Sequence, residues 1–97
     1  MDRKLKQAQL IAKSKGLNYE SLQISLANGK RFAIRSPAGK LVNFGQWPHT
    51  GKGAFIDHGD EKLLSAWKAR HSKIMKDGKP AYLNPESAEF YSWNILW

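Results

Sequence analysis

The chain contains no cysteine. A disulfide scaffold, a Cys-ligated zinc ribbon and a thiol nucleophile are therefore excluded. No apolar run approaches the roughly 18 residues that a membrane-spanning helix needs. The first residues are charged and carry no long apolar stretch, so no signal peptide is expected. Neither a GxGxxG nor a Walker-type phosphate loop occurs, HExxH is missing, and no Ser/His/Asp arrangement stands out. Beyond Lys79 there is no Lys or Arg at all. What is present is 97 residues, 41% apolar and 25% charged. That composition fits one small folded domain and not a disordered tail.

Charge is the first positive signal. Sixteen Lys and Arg stand against eight Asp and Glu, for a net charge of +8. The excess is uneven. Residues 1–16 hold Arg3, Lys4, Lys6, Lys13 and Lys15 against Asp2. Lys30, Arg31, Arg35 and Lys40 follow with no acid among them. Lys62, Lys68, Arg70, Lys73, Lys76 and Lys79 face only Asp60, Glu61 and Asp77. A polyanion is the natural partner, because each neutralised phosphate releases a counterion. DNA, RNA, an anionic membrane surface and an acidic protein all qualify; plain solubility is the bland alternative.

Periodicity predicts an α+β domain: an N-terminal helix, a three-stranded antiparallel meander and two C-terminal helices. Leu5, Ala8, Ile11 and Ala12 recur at helical steps over residues 3–15, and Gly16 stops the run. Leu22, Ile24 and Leu26 alternate with polar residues; Phe32 and Ile34 do so after Asn28-Gly29. Two such runs joined by Asn-Gly predict a tight hairpin with both turn residues at positive φ. In that register Leu22, Ile24, Leu26, Phe32 and Ile34 face the core, and Gln23, Arg31 and Arg35 face out. Leu41 to Phe44 supply the third strand. Asp60 is a candidate N-cap, with Asp57 as the alternative, for a helix through Leu63, Leu64, Trp67, His71, Ile74 and Met75 that Gly78 closes. Asn84-Pro85 reads as the start of the last helix. The resulting organisation is one domain over residues 1–97. It comprises a helical arm (1–16), the meander (20–45), a loop (46–59) and a helical part (60–97).

His49, Asp57, His58, Asp60 and His71 are the residues from which a metal or acid–base site could be assembled, and a metal-dependent nuclease would also want the basic surface. Their spacings match no metal motif. Helix capping by Asp57 or Asp60, a loop position for His58 and a half-buried helical His71 account for them better, so no cofactor, metal or catalytic residue is assigned. Gly51-Lys52-Gly53 offers backbone N–H groups and a cation to a phosphate, or is a plain loop. Trp47 lies among Lys and Gly, where it could stack on a base or close over the sheet as a lid. Trp67 and Trp93 fall on apolar faces and read as core; Trp97 docks either inward or on a partner.

From residue 41 onward the pattern is Val42, Phe44-Gly45, Asp57-His58, Asp60, Trp67, Arg70-His71, Pro85, Trp93 and Ile95-Leu96-Trp97. This resembles an uncharacterised family of small basic proteins of tailed phages and of large DNA viruses of eukaryotes. Two departures are visible: Trp67 stands where that family usually has Tyr, and Glu61-Lys62-Leu63-Leu64 is a less basic helix start. Residues 1–20 look like an added helix outside the resemblance. The resemblance implies a viral or phage origin, in the host cytoplasm or the virion, and no established activity. It leaves Asp57, Arg70 and His71 as a candidate hydrogen-bonded joint between loop, helix and C-terminal segment.

The reading that follows is a non-enzymatic accessory protein contacting nucleic acid through Lys30, Arg31, Arg35, Lys52, Lys68, Arg70 and Lys73. The rival is a virion structural or decoration protein docking through its aromatic C-terminal segment. A small inhibitor of a host protein is a third reading.

Overall fold

A computed structural model describes residues 4–48 and 51–97. The architecture is mixed α+β, with a three-stranded antiparallel sheet, a separate two-stranded one, and four α-helices. Arg3 and His49, singled out from the sequence, lie outside the described residues.

Helix α1 spans Leu5–Ser14. Gly16 ends it at φ +71°, a conformation that suits a residue without Cβ. The expected arm is packed in the core: Ala8 and Ala12 are fully buried. Small residues at that four-residue step let the helix backbone approach the apolar cluster closely.

The meander is present as strands β1 (Gln23–Ile24), β2 (Lys30–Arg35) and β3 (Leu41–Gln46), in that order. Phe32 pairs with Phe44 and Ile34 with Val42, so four apolar side chains line one face. They meet Leu22, Ala8, Ala12, Tyr91 and Ile95 in the main core. The hairpin differs from the expected two-residue turn. Ser25 Oγ accepts from Ala27 N–H at 3.0 Å and donates to Asn43 Oδ1 at 2.6 Å. That local bond bends the chain, ends β1 at Ile24 and leaves Leu26 95% exposed instead of core-facing. Only Gly29 takes positive φ; Asn28 does not.

Segment 46–59, read as a loop, holds a short helix α2, Phe55–His58. Helix α3 follows over Glu61–His71. Asp60 caps it, accepting from Lys62 N–H at 2.9 Å and Leu63 N–H at 3.3 Å, as its sequence position implies. The helix stops well short of Gly78. Asp77 and Gly78 both have positive φ, at +54° and +78°, the pairing that a two-residue hairpin turn requires. They join β4 (Met75–Lys76) to β5 (Lys79–Pro80), so Ile74 and Met75 are exposed hairpin residues and not helical core. The last helix also starts later than Asn84. Asn84 Oδ1 accepts from Glu86 N–H at 2.9 Å in a turn, and Ser87 caps α4 (Ala88–Tyr91). The chain then continues as a π-helical turn, Ser92–Leu96. None of the described helices is long and apolar enough to cross a membrane.

Candidate nucleic-acid interface

A cleft of about 830 Å³ opens between the Lys30 end of β2, the Lys52–Ala54 segment, one face of α3 and the C-terminal turn. Leu63, Ala66, Trp67, Arg70 and His71 all line it, at the three- and four-residue steps that share one helix face. The apolar members form its wall, and Arg70 and His71 bring charge and a titratable ring to its end.

The wall is a stack of rings. Trp67 lies parallel to Trp97, with centroids 4.8 Å apart and planes 8° apart. His71 stacks on Trp67 at 3.9 Å. His58 meets Trp97 edge-on at 5.4 Å. Trp93 stacks on Tyr82 at 4.0 Å, and the Lys68 ammonium sits 5.1 Å from the Trp93 centroid. Trp67 is core, as its place in the helical pattern implies; Trp93 is half-buried. Trp97 docks inward.

Behind this wall lies an ion pair. Arg31, expected on the outer face of the meander, is only 3% exposed. Its Nη1 and Nη2 donate to the two carboxylate oxygens of Asp57 at 2.7 Å each, the bidentate geometry guanidinium favours. Strand alternation does point Arg31 away from Phe32 and Phe44. That side is covered because α2 delivers Asp57 onto it, and Asp57 also accepts from Ala54 N–H at 2.8 Å. Gly45 is the residue that makes room. A Cβ there would lie 2.9 Å from Leu96 Cδ1 and 3.1 Å from Arg31 Cβ. The Arg31 guanidinium also lies 5.3 Å from the ring of Trp47, which keeps 39% of its surface exposed. Trp47 N–H donates to Gly29 carbonyl at 3.1 Å, so its backbone extends the β2–β3 ladder.

The two described histidines, His58 and His71, are structurally engaged. His71 Nδ1 lies 2.6 Å from Glu89 Oε2, a partner with no signal in the sequence. His58 Nδ1 accepts from Asp60 N–H at 2.8 Å, which places the ring proton of neutral His58 on the buried Nε2. Among the described residues no group of three His, Asp or Glu side chains is placed to hold a metal ion.

The seven expected contact residues divide. Lys30, Arg31, Lys52 and Arg70 line the cleft. Lys30, Lys52 and Arg70 are exposed and form no ion pair among the described residues, whereas Arg31 is neutralised by Asp57. Arg35 lies at the opposite end of β2 and donates to Gly39 carbonyl at 3.1 Å. Lys68 is held over Trp93, and Lys73 follows the end of α3. Among the described residues Glu89 is the one acidic side chain lining the cleft, and it is bonded to His71. Lys15 adds a cation outside it: its Nζ donates to Asn94 carbonyl, and burial, with Lys68 as the second cause, holds the ammonium below the usual lysine range.

Of the motif read from position 41 onward, Gly45, Trp67, Arg70, His71, Leu96 and Trp97 line the cleft, whereas Val42, Phe44 and Ile95 lie in the main core. Gly45 abuts Arg31 and Leu96, Asp57 pairs with Arg31, Trp67 stacks between His71 and Trp97, and Arg70 lines the opening. Comparison with protein-family models, with curated proteins and with solved structures gives no match.

Proposed function

We propose that this protein is a non-enzymatic accessory protein that contacts nucleic acid through the basic cleft, and that it belongs with the phage and large-virus proteins its C-terminal half resembles. One observation carries the reading: Lys30, Lys52 and Arg70, from three separate segments, gather around one concavity without acidic partners among the described residues. Cations brought together from distant positions and left unpaired raise the local potential for a phosphate chain more than the same cations scattered.

The rival reading, docking in a virion through the aromatic C-terminal segment, draws less support. Trp93 and Trp97 are stacked on Tyr82 and Trp67 within the chain, so those rings are already engaged.

Fluorescence anisotropy against oligonucleotides tests the proposal. Binding is expected at low salt, and log K should fall linearly with log salt concentration. The variant carrying Lys30→Gln, Lys52→Gln and Arg70→Gln together should lose most of it. Absence of binding at low salt, with the protein shown to be folded by circular dichroism, would discard the reading.

A further inference from the structure

We infer that the cleft takes single-stranded nucleic acid in preference to duplex. The inference rests on the nucleic-acid reading above and adds the class of strand.

The first argument is shape. The cations without acidic partners that converge do so around a concavity of about 830 Å³, not along a ridge. A volume of that size lies in the range of small-ligand sites. It admits one or two unpaired nucleotides, whose backbone can bend into it. A duplex is stiff, and its bases are stacked and paired. To reach the cleft a base would first have to be extruded from the helix, at the cost of its stacking and pairing.

The second argument is chemistry. A duplex shows a protein phosphates and groove edges but no base faces. The cleft is not lined by charge alone. Leu63, Ala66 and Leu96 line it beside Trp67 and Trp97. Apolar wall under a cationic rim complements a strand that exposes both phosphates and unstacked bases. Against a duplex the same wall would stay uncovered.

The third argument is the placement of the three expected contact cations that lie off the cleft. A duplex-tracking surface needs a stripe of exposed Lys and Arg in register with the phosphates. Arg35 is at the far end of β2, Lys68 is held over Trp93, and Lys73 lies past the end of α3. They do not extend the cleft's charge into such a stripe.

The test compares a fluorescein-labelled oligo-dT of 12 nucleotides, its RNA counterpart oligo-U, and a 12-base-pair duplex of mixed sequence, by anisotropy at several salt concentrations. The single strands should bind at least about tenfold more tightly than the duplex, since only they present both phosphates and base faces. Lys30→Gln, Lys52→Gln and Arg70→Gln should each weaken single-strand binding and lower the salt slope by about 0.7. Arg35→Gln and Lys73→Gln, distant controls, should leave both within twofold. All five positions are exposed, so folding should survive each change, and circular dichroism checks it. Duplex binding as tight as single-strand binding would overturn the inference while leaving nucleic-acid contact standing. So would cleft variants that weaken binding no more than the distant controls. No binding of any probe would remove both. The DNA and RNA arms together report which single strand is preferred.

Discussion

Replacing Asp57 by alanine should cost more stability than any surface substitution in this chain. The carboxylate is the bidentate partner of Arg31, whose side chain is 2% exposed, against 11% for Asp57 itself. Removing it takes from a buried guanidinium the carboxylate to which both Nη atoms donate, and breaking a buried pair in this way typically costs about 3–5 kcal/mol. The bond from Ala54 N–H to Asp57 is lost as well, adding about 1 kcal/mol. A domain of this size is stable by only about 5–15 kcal/mol. The substitution therefore removes a large fraction of that stability. At about 4–8 °C per kcal/mol, the midpoint should fall by at least about 12 °C. Urea titration followed by tryptophan fluorescence reports the loss, because Trp47, Trp67, Trp93 and Trp97 lie close to the cleft or its wall. Asp57→Asn keeps the shape and removes the charge, so the difference between the two variants separates charge from packing. The double variant Arg31→Met with Asp57→Leu should recover most of the loss, since a buried ion pair is often replaceable by apolar side chains of similar volume. A cost for Asp57→Ala below about 1 kcal/mol, the value of an exposed pair, would refute the argument that the Arg31 charge is desolvated.

Gly45→Ala should destabilise by about 2–4 kcal/mol, combining a disfavoured positive φ with a Cβ forced against Leu96 and Arg31. Gly39→Ala, at a similar φ of +80° with nothing within 4 Å, should cost only about 1 kcal/mol; equal denaturation midpoints for the two would contradict the close-approach argument. Trp97→Leu should change the exciton-coupled circular-dichroism signal of the indole cluster, leaving only the contribution of Trp67 and Trp93 at 5.9 Å, whereas Trp47→Leu should leave the signal in place. Stability should fall at alkaline pH, because burial, and secondarily the Glu86 carboxylate, push the Tyr91 phenol above its ordinary value. The folded state then favours the protonated phenol, so its contribution is complete below about pH 10 and is lost as pH rises through the raised value. Tyr91→Phe should flatten that alkaline limb in urea titrations. In the binding assay, the double variant Arg31→Met with Asp57→Leu should leave the salt slope unchanged, because the two charges it removes already neutralise one another within the protein.

Local structure was legible where one residue type settles the backbone by itself. Gly16 as a helix stop, Asp60 as a cap and the alternation through Phe32 and Ile34 each rest on a steric or hydrogen-bonding rule that needs no distant partner. Where two local signals competed, periodicity misled. The apolar run through Ile74 and Met75 continues the helical pattern of α3, yet Asp77-Gly78 imposes a hairpin that no helix can contain. Leu26 fits strand alternation, yet the Ser25 hydroxyl turns the chain one residue earlier. Of the cleft, the sequence supplied the inventory: an excess of cations, an aromatic-rich end, and Trp67 and His71 at a four-residue step. It could not say that α2 would carry Asp57 onto the outer side of the meander, turning Arg31 from a surface charge into a buried pair. Nor could it place Glu89 on His71 or distinguish Lys30, Lys52 and Arg70 from Arg35 and Lys73. Charge count and periodicity are properties of neighbours along the chain. Which charges end up paired, buried or facing one concavity depends on segments tens of residues apart, and only packing in three dimensions decides it.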